Sequence, residues 1–161
     1  MLPSTIDGAC APMNRPTIVL AEDHPNVAEK LQKLLAHSFD VVAVVNHGEA
    51  LVRTALRVKP DVVVTDISMP GMDGMKAVQE ILVHQPSLAA VFVTVHDDRA
   101  LARKALTIGL GYVLKASAGE DLVDAVNAAL DARRFVSASL GTVESLLERA
   151  PGPSARGASS R

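Results

Sequence analysis

Three carboxylates, a hydroxyl and an ammonium group stand at the ends of short apolar runs. Glu22 and Asp23 follow Thr17-Ile-Val-Leu-Ala21, and Asp66 follows Val62-Val-Val-Thr65. Thr94 ends the run that begins Ala90-Val-Phe-Val93, and Lys115 follows Tyr112-Val-Leu114. Carboxylates gathered in one crevice repel one another and resist ionisation. A hard divalent cation relieves that repulsion. Mg2+ takes oxygen ligands, keeps several waters and often helps to hold a phosphate. With a lysine as a second positive charge, an anionic phosphoryl group could approach an anionic carboxylate. The chemistry this suggests is phosphoryl transfer onto a carboxylate to give an acyl phosphate, with Thr94 and Lys115 each bonding a phosphoryl oxygen.

The elements that must bring these residues together alternate along the chain. Thr17 to Ala21 is a β-branched run suited to a buried strand. Pro25 then suits the first turn of a helix, where its missing N–H costs nothing, and Val27, Leu31, Leu34 and Leu35 recur at helical spacing. Further strands are predicted at 41–45, 62–64, 90–93 and 112–114. Further helices are predicted at 50–58, from Met75 to Leu82, from an Asp97 or Asp98 cap to Gly109, and from a Ser117 to Glu120 capping box onward. Five βα units in a row predict a parallel sheet covered on both faces. The expected class is α/β: a flavodoxin-like (βα)5 doubly wound sheet in the order 2-1-3-4-5. Ligands in such sheets sit beyond the carboxyl ends of the strands, where all five groups fall.

Length and composition agree with one such domain. The chain has 161 residues, of which 48% are hydrophobic but only 2% aromatic, so its core must rest on Val, Leu, Ile and Ala. The formal net charge of -2 gives no sign of a nucleic-acid binder. The lone Cys10 cannot form an internal disulfide, which agrees with a reducing, cytoplasmic setting. No segment reaches the roughly 20 apolar residues of a membrane helix, and no secretory signal opens the chain. The predicted organisation is a disordered leader at 1–15, in which Met13 is a second candidate start. The domain follows at 16–134, then a short helix or linker at 135–149, and a Pro-, Gly- and Ser-rich tail at 150–161 that should be disordered.

The quoted motifs resemble a known family. Ala-Glu22-Asp23-His, Val-Val-Val-Thr-Asp66-Ile-Ser-Met-Pro-Gly-Met-Asp-Gly74, Val-Phe-Val-Thr94 and Gly-Tyr112-Val-Leu-Lys115 look like the signature of response-regulator receiver domains of two-component systems. The resemblance covers about Pro16 to Arg134. It implies that Glu22 and Asp23 bind Mg2+, that Asp66 accepts the phosphoryl group, and that the Ser68 backbone carbonyl completes the metal site. It also implies that Thr94 and Lys115 sense the phosphate, and that Thr94 and Tyr112 form a threonine–aromatic switch acting on the fourth helix, fifth strand and fifth helix. The phosphate would come from a histidine kinase or phosphotransfer protein, and the phosphorylated form could pair with a second copy. The Lys115-Ala116 junction and Phe135-Val-Ser look most like the subfamily that usually carries a LuxR-type helix-turn-helix output domain. That module needs about three helices. After Arg134 there is room for one short amphipathic segment, Leu140 to Leu147. Either the protein is single-domain or the sequence is part of a longer one, and this chain itself is not expected to bind DNA or a membrane.

Other readings compete at each position. Asp66 alone could be a turn-forming residue. Glu22 and Asp23 could serve only the helix N-terminus, and Thr94 only its strand. Lys115 could be a solvated charge, and Tyr112 core packing with a wet hydroxyl. Asp73 and Gly74 suit loop geometry. The five histidines, His24, His37, His47, His84 and His96, show no metal-ligand spacing and read as surface or loop residues. His96, two positions after Thr94, falls where the resembled family tunes dephosphorylation. The Leu140 to Leu147 stripe suits a docking helix. A phosphohydrolase of the haloacid-dehalogenase type uses similar chemistry, but Ser68 stands where that type places a second Asp. The expected activity is therefore that of a signalling switch and not of a turnover enzyme.

Overall fold

A computed structural model describes residues 15–147. The predicted tail and nearly all of the predicted leader lie outside these residues, as do residues 148 and 149. The elements run β1 (Thr17–Ala21), α1 (Pro25–Ala36), β2 (Asp40–Val45), α2 (Gly48–Val58), β3 (Val62–Thr65), α3 (Gly74–His84), β4 (Ala89–Thr94), α4 (Arg99–Leu106), β5 (Gly111–Leu114), α5 (Ala118–Leu130), β6 (Phe135–Val136) and α6 (Val143–Leu147). All the strand pairs are parallel, in the order β2-β1-β3-β4-β5-β6.

The central strands are buried on both faces, and their alternation sorts side chains into two cores. Ile18, Leu20, Val62, Val64, Val91, Val93 and Val113 face α1 and α5, where Leu31, Leu35, Leu122 and Val126 meet them. Val19, Ala21, Val63, Phe92, Tyr112 and Leu114 face the other way, against Leu51, Val78, Ile81 and Leu106 from α2, α3 and α4. With so few aromatics, most of this packing is aliphatic. Phe92 and Tyr112 are fully enclosed and sit opposite each other on β4 and β5.

Local signals place several helix ends. Pro25 opens α1, and the Asp98 carboxylate caps α4 by accepting from the Ala100 and Leu101 amides. Asp73 caps α3 through the Lys76 amide. Gly74 shows why the loop after β3 needs glycine: a Cβ there would lie 2.0 Å from the Asp66 carbonyl oxygen.

Three expectations need correction. Ser117 does not build a capping box. It ends a 3-10 turn over Lys115–Ser117 with φ −108° and ψ 7°, a backbone that turns its hydroxyl away from the cap. Arg15 is not part of a free leader, because its guanidinium donates to the carbonyls of Ala36 and Phe39. The segment after Arg134 is more than a linker helix. Phe135–Val136 adds a sixth strand against Gly111 and Tyr112, and α6 follows a 3-10 turn at Ala138–Leu140.

Two measurements check this packing. Gly74→Ala forces its methyl into backbone, so stability should fall by about 2–3 kcal/mol in denaturant unfolding; an unchanged midpoint would contradict the close approach. Tyr112 is the only tyrosine in the chain. Burial, then the charges of Asp98 and Asp97, push its phenol up to about 12 from the usual 10. Its folded form therefore keeps the proton while an unfolded chain loses it. Stability is unaffected below pH 10 and declines as pH rises toward 12. Ultraviolet titration should show ionisation near pH 12 in the folded protein, and a value near 10 would contradict the enclosed ring.

Candidate functional site

The parallel register brings the ends of β1 and β3 side by side. The Asp66 amide donates to the Ala21 carbonyl, and the Glu22 amide donates to the Val45 carbonyl, each at 3.0 Å. These bonds continue the sheet one residue past its strands and hold both carboxylates at its edge. Glu22 and Asp66 are buried, at 2% and 4% exposure. Lys115 enters from the turn after β5. Its Nζ lies 2.8 Å from Glu22 Oε1 and 2.9 Å from Asp66 Oδ2. Burial alone would lower the pKa of this ammonium, but its contacts with Glu22 and Asp66 outweigh burial and raise it. Lys115 therefore stays charged through the neutral range.

Asp23 lies at the rim. Its Oδ1 is buried and makes no hydrogen bond of good geometry, although His24 Nδ1 is 3.2 Å away. His24 Nδ1 also lies 3.0 Å from Glu22 Oε2, and the bond to Glu22 and the charge of Asp23 raise the pKa of this imidazole. Glu22, Asp23, His24 and Asp66 each offer an atom within 4.8 Å of all the others. The acid pair was legible from sequence. The histidine is exposed, as its surface reading expected, and what the structure adds is its contact with the pair.

Thr94 and Tyr112 do not touch the carboxylates. They are joined to each other through His96. The His96 amide donates to Thr94 Oγ1 at 3.2 Å, and Tyr112 donates its hydroxyl hydrogen to the His96 carbonyl at 2.6 Å. The His96 ring pairs with Ser68 Oγ at 3.2 Å. The Ser68 amide in turn donates to Asp66 Oδ1 at 3.3 Å. A continuous polar path therefore runs from Asp66 through Ser68 and His96 to both Thr94 and Tyr112. Spacing alone did not reveal that His96 is its junction.

One ammonium against three carboxylates leaves the crevice with an excess of negative charge. Such a site attracts a cation, and behind the cation an anionic group. Glu22, Asp23 and Asp66 supply the hard oxygen donors that Mg2+ favours.

Comparison with known proteins gives this arrangement a context. Residues 18–127 match the response regulator receiver domain. The response regulator GacA of Pseudomonas aeruginosa is 30% identical over 123 residues, which cover 74% of this chain and 58% of that protein. The transcriptional regulatory protein RcsB of Escherichia coli K12 is 32% identical over 143 residues, 85% of this chain and 65% of that protein. The chain thus spans between half and two thirds of the length of these relatives. Among solved structures, a LuxR-family two-component response regulator from Aurantimonas sp. SI85-9A1 superposes with a TM-score of 0.75 at 32% identity, covering 79% of this chain and 93% of that one. The isolated REC domain of Salmonella enterica RcsB, determined with the phosphomimetic BeF3-, gives 0.73 at 30% identity, covering 84% and 100%. Sheet order, edge carboxylates and these matches agree: the chain belongs to the response regulator receiver domain family.

Proposed function

We propose that the chain is a phosphoacceptor switch in which Asp66 takes a phosphoryl group from the phosphohistidine of a histidine kinase or phosphotransfer protein. The observation that carries this reading is the Lys115 ammonium held between buried Glu22 and Asp66 at the sheet edge. In the transfer a carboxylate oxygen of Asp66 attacks phosphorus, the P–N bond breaks, and the leaving imidazole takes up a proton. Positioning and charge neutralisation supply the rate, since such transfers need little other help from the protein. Glu22, Asp23, Asp66 and the Ser68 carbonyl would hold Mg2+, whose charge offsets that of the incoming phosphoryl oxygens. Lys115 pairs with one phosphoryl oxygen, and the Thr94 hydroxyl donates to another.

A groove of about 730 Å³ between α1 and the start of α5 is lined by Leu31, Leu34, Val95, Lys115 and Ala116, and a separate pocket is lined by Glu22 and Asp23. The setting that fits is cytoplasmic, where such donors present their histidines. Among the described residues no helix is long and apolar enough to cross a membrane. Pairing with a second copy, and control of transcription through a DNA-binding output module, belong to the same reading. RcsB has been solved bound to DNA, over a chain of which this one covers 70%. A single, slow turnover would separate this switch from a phosphohydrolase, which turns over a small phosphate ester steadily.

Incubation with a small acyl phosphate should add one phosphate to the intact mass with Mg2+ present, and none after chelation or in Asp66→Asn. Equal labelling of Asp66→Asn would refute the acceptor. Asp23→Asn should weaken Mg2+ at least about tenfold, or roughly 1.4 kcal/mol. Unchanged Mg2+ affinity in a folded Asp23→Asn protein would remove Asp23 from the metal site.

A further inference from the structure

The face expected to change on phosphorylation, built from α4 and β5, is already covered. Residues 135–147 cross it as a strap. Val136, Leu140 and Leu146 are at most 8% exposed and share one core cluster with Ala102, Leu106 and Tyr112. Ser137 pins the near end: its amide donates to the Tyr112 carbonyl, and its hydroxyl accepts from the Leu114 amide and donates to Asp121. Two arginines of α4 pin the far end. Arg99 donates to the Leu140 carbonyl and to Ser145 Oγ, and Arg103 Nε donates to the Leu146 carbonyl at 2.8 Å. Carbonyls near the end of a short helix have no partner within it, so guanidinium donors suit them. Gly141 permits the crossing. Its φ is +99°, and a Cβ there would lie 2.7 Å from Arg99 Nη1.

We infer that this strap is an intramolecular ligand of the α4–β5 face, docked in the unphosphorylated chain and loosened when Asp66 is phosphorylated. The inference rests on the proposed phosphorylation of Asp66. The route is the path already described. A phosphoryl group that draws the Thr94 hydroxyl moves the His96 backbone, which holds the Tyr112 hydroxyl. Tyr112 pairs with Val136, its carbonyl accepts from the Ser137 amide, and it shares one buried cluster with Leu140 and Leu146. Two residues beyond His96, Asp98 caps the helix whose first residue is Arg99, so the same loop also sets the arginine clamp. A site that alters both this cluster and the clamp has a differential interaction with the docked and undocked states, which is what a population shift requires. A second copy, or any other partner of this face, gains it only after the strap leaves. The phosphorylated surface is therefore an uncovering as much as a reshaping.

The test is amide hydrogen exchange on the full chain, with and without Mg2+ and beryllofluoride, run beside acyl-phosphate labelling read as intact mass. Exchange across 138–147 should rise about tenfold or more on loading, a modest coupling between two sites. Tyr112→Phe, which removes only the hydroxyl that holds the His96 carbonyl, should still gain phosphate at Asp66 while its strap exchange rises less than in the wild type. In Arg99→Ala/Arg103→Ala the strap should exchange fast before loading, and reciprocity requires beryllofluoride to bind several-fold tighter. A labelled wild-type chain whose strap exchange is unchanged or slower overturns this inference and leaves the phosphoacceptor reading intact. So does a double-arginine variant with wild-type beryllofluoride affinity. Absence of any mass gain overturns both.

Discussion

The Lys115 ammonium between Glu22 and Asp66 is the contact on which the carboxyl edge of the sheet depends. Both carboxylates are buried, and without a cation they would repel each other in a medium that screens poorly. Removing the ammonium would leave them uncompensated, a cost of about 3–5 kcal/mol for a buried pair. The same feature makes the site reactive. Lysine supplies one charge where three carboxylates ask for more, so the apo arrangement is balanced enough to fold and still short of positive charge. An added cation and an added phosphoryl group change that balance by whole charges, at a point already wired to its surroundings.

That wiring follows from the parallel sheet. Each strand ends at the same edge, and each βα turn delivers its first polar residue to the same crevice. Because strands alternate with period two, the residue that ends β4 falls on the same face as Phe92 and Tyr112, toward α4 and away from α1. Thr94 and Tyr112 thus share a face by parity, and His96 has only to fold back over them to join their hydroxyls. The joining atoms are the His96 amide and carbonyl, so the link between the two hydroxyls runs through one backbone segment and not through the imidazole.

The C-terminal segment adds to the β5 side of the sheet. β6 extends the sheet past β5, Ser137 replaces a strand partner with its hydroxyl, and two arginines collect the carbonyls of α6. Leu140 and Leu146 belong to the same buried cluster as Tyr112, and burial is the main reason its phenol resists ionisation. The buried tyrosine and the docked strap are therefore two sides of one packing arrangement.

Much of this was legible in the sequence because it is local. β-Branched runs, the Pro25 helix start, the Asp98 cap and the order of five polar residues after five strands depend on neighbours within a few positions. Together they sufficed for the α/β class, the strand order through β5 and the meeting of Glu22, Asp66 and Lys115 at the sheet edge. What sequence could not settle depended on distant partners. His96 resembled an ordinary loop histidine until folding set its ring on Ser68 and its carbonyl on the Tyr112 hydroxyl. Ser117 had the spacing of a capping box, but the turn that carries Lys115 to the carboxylates set its backbone in another conformation. Phe135-Val136 was too short to announce a strand and became one because β5 offered an open edge. A residue's type and spacing determined what chemistry it could do. Which residues meet was decided by long-range packing, because a contact such as that of Lys115 with Asp66, 49 positions apart, has no local signature.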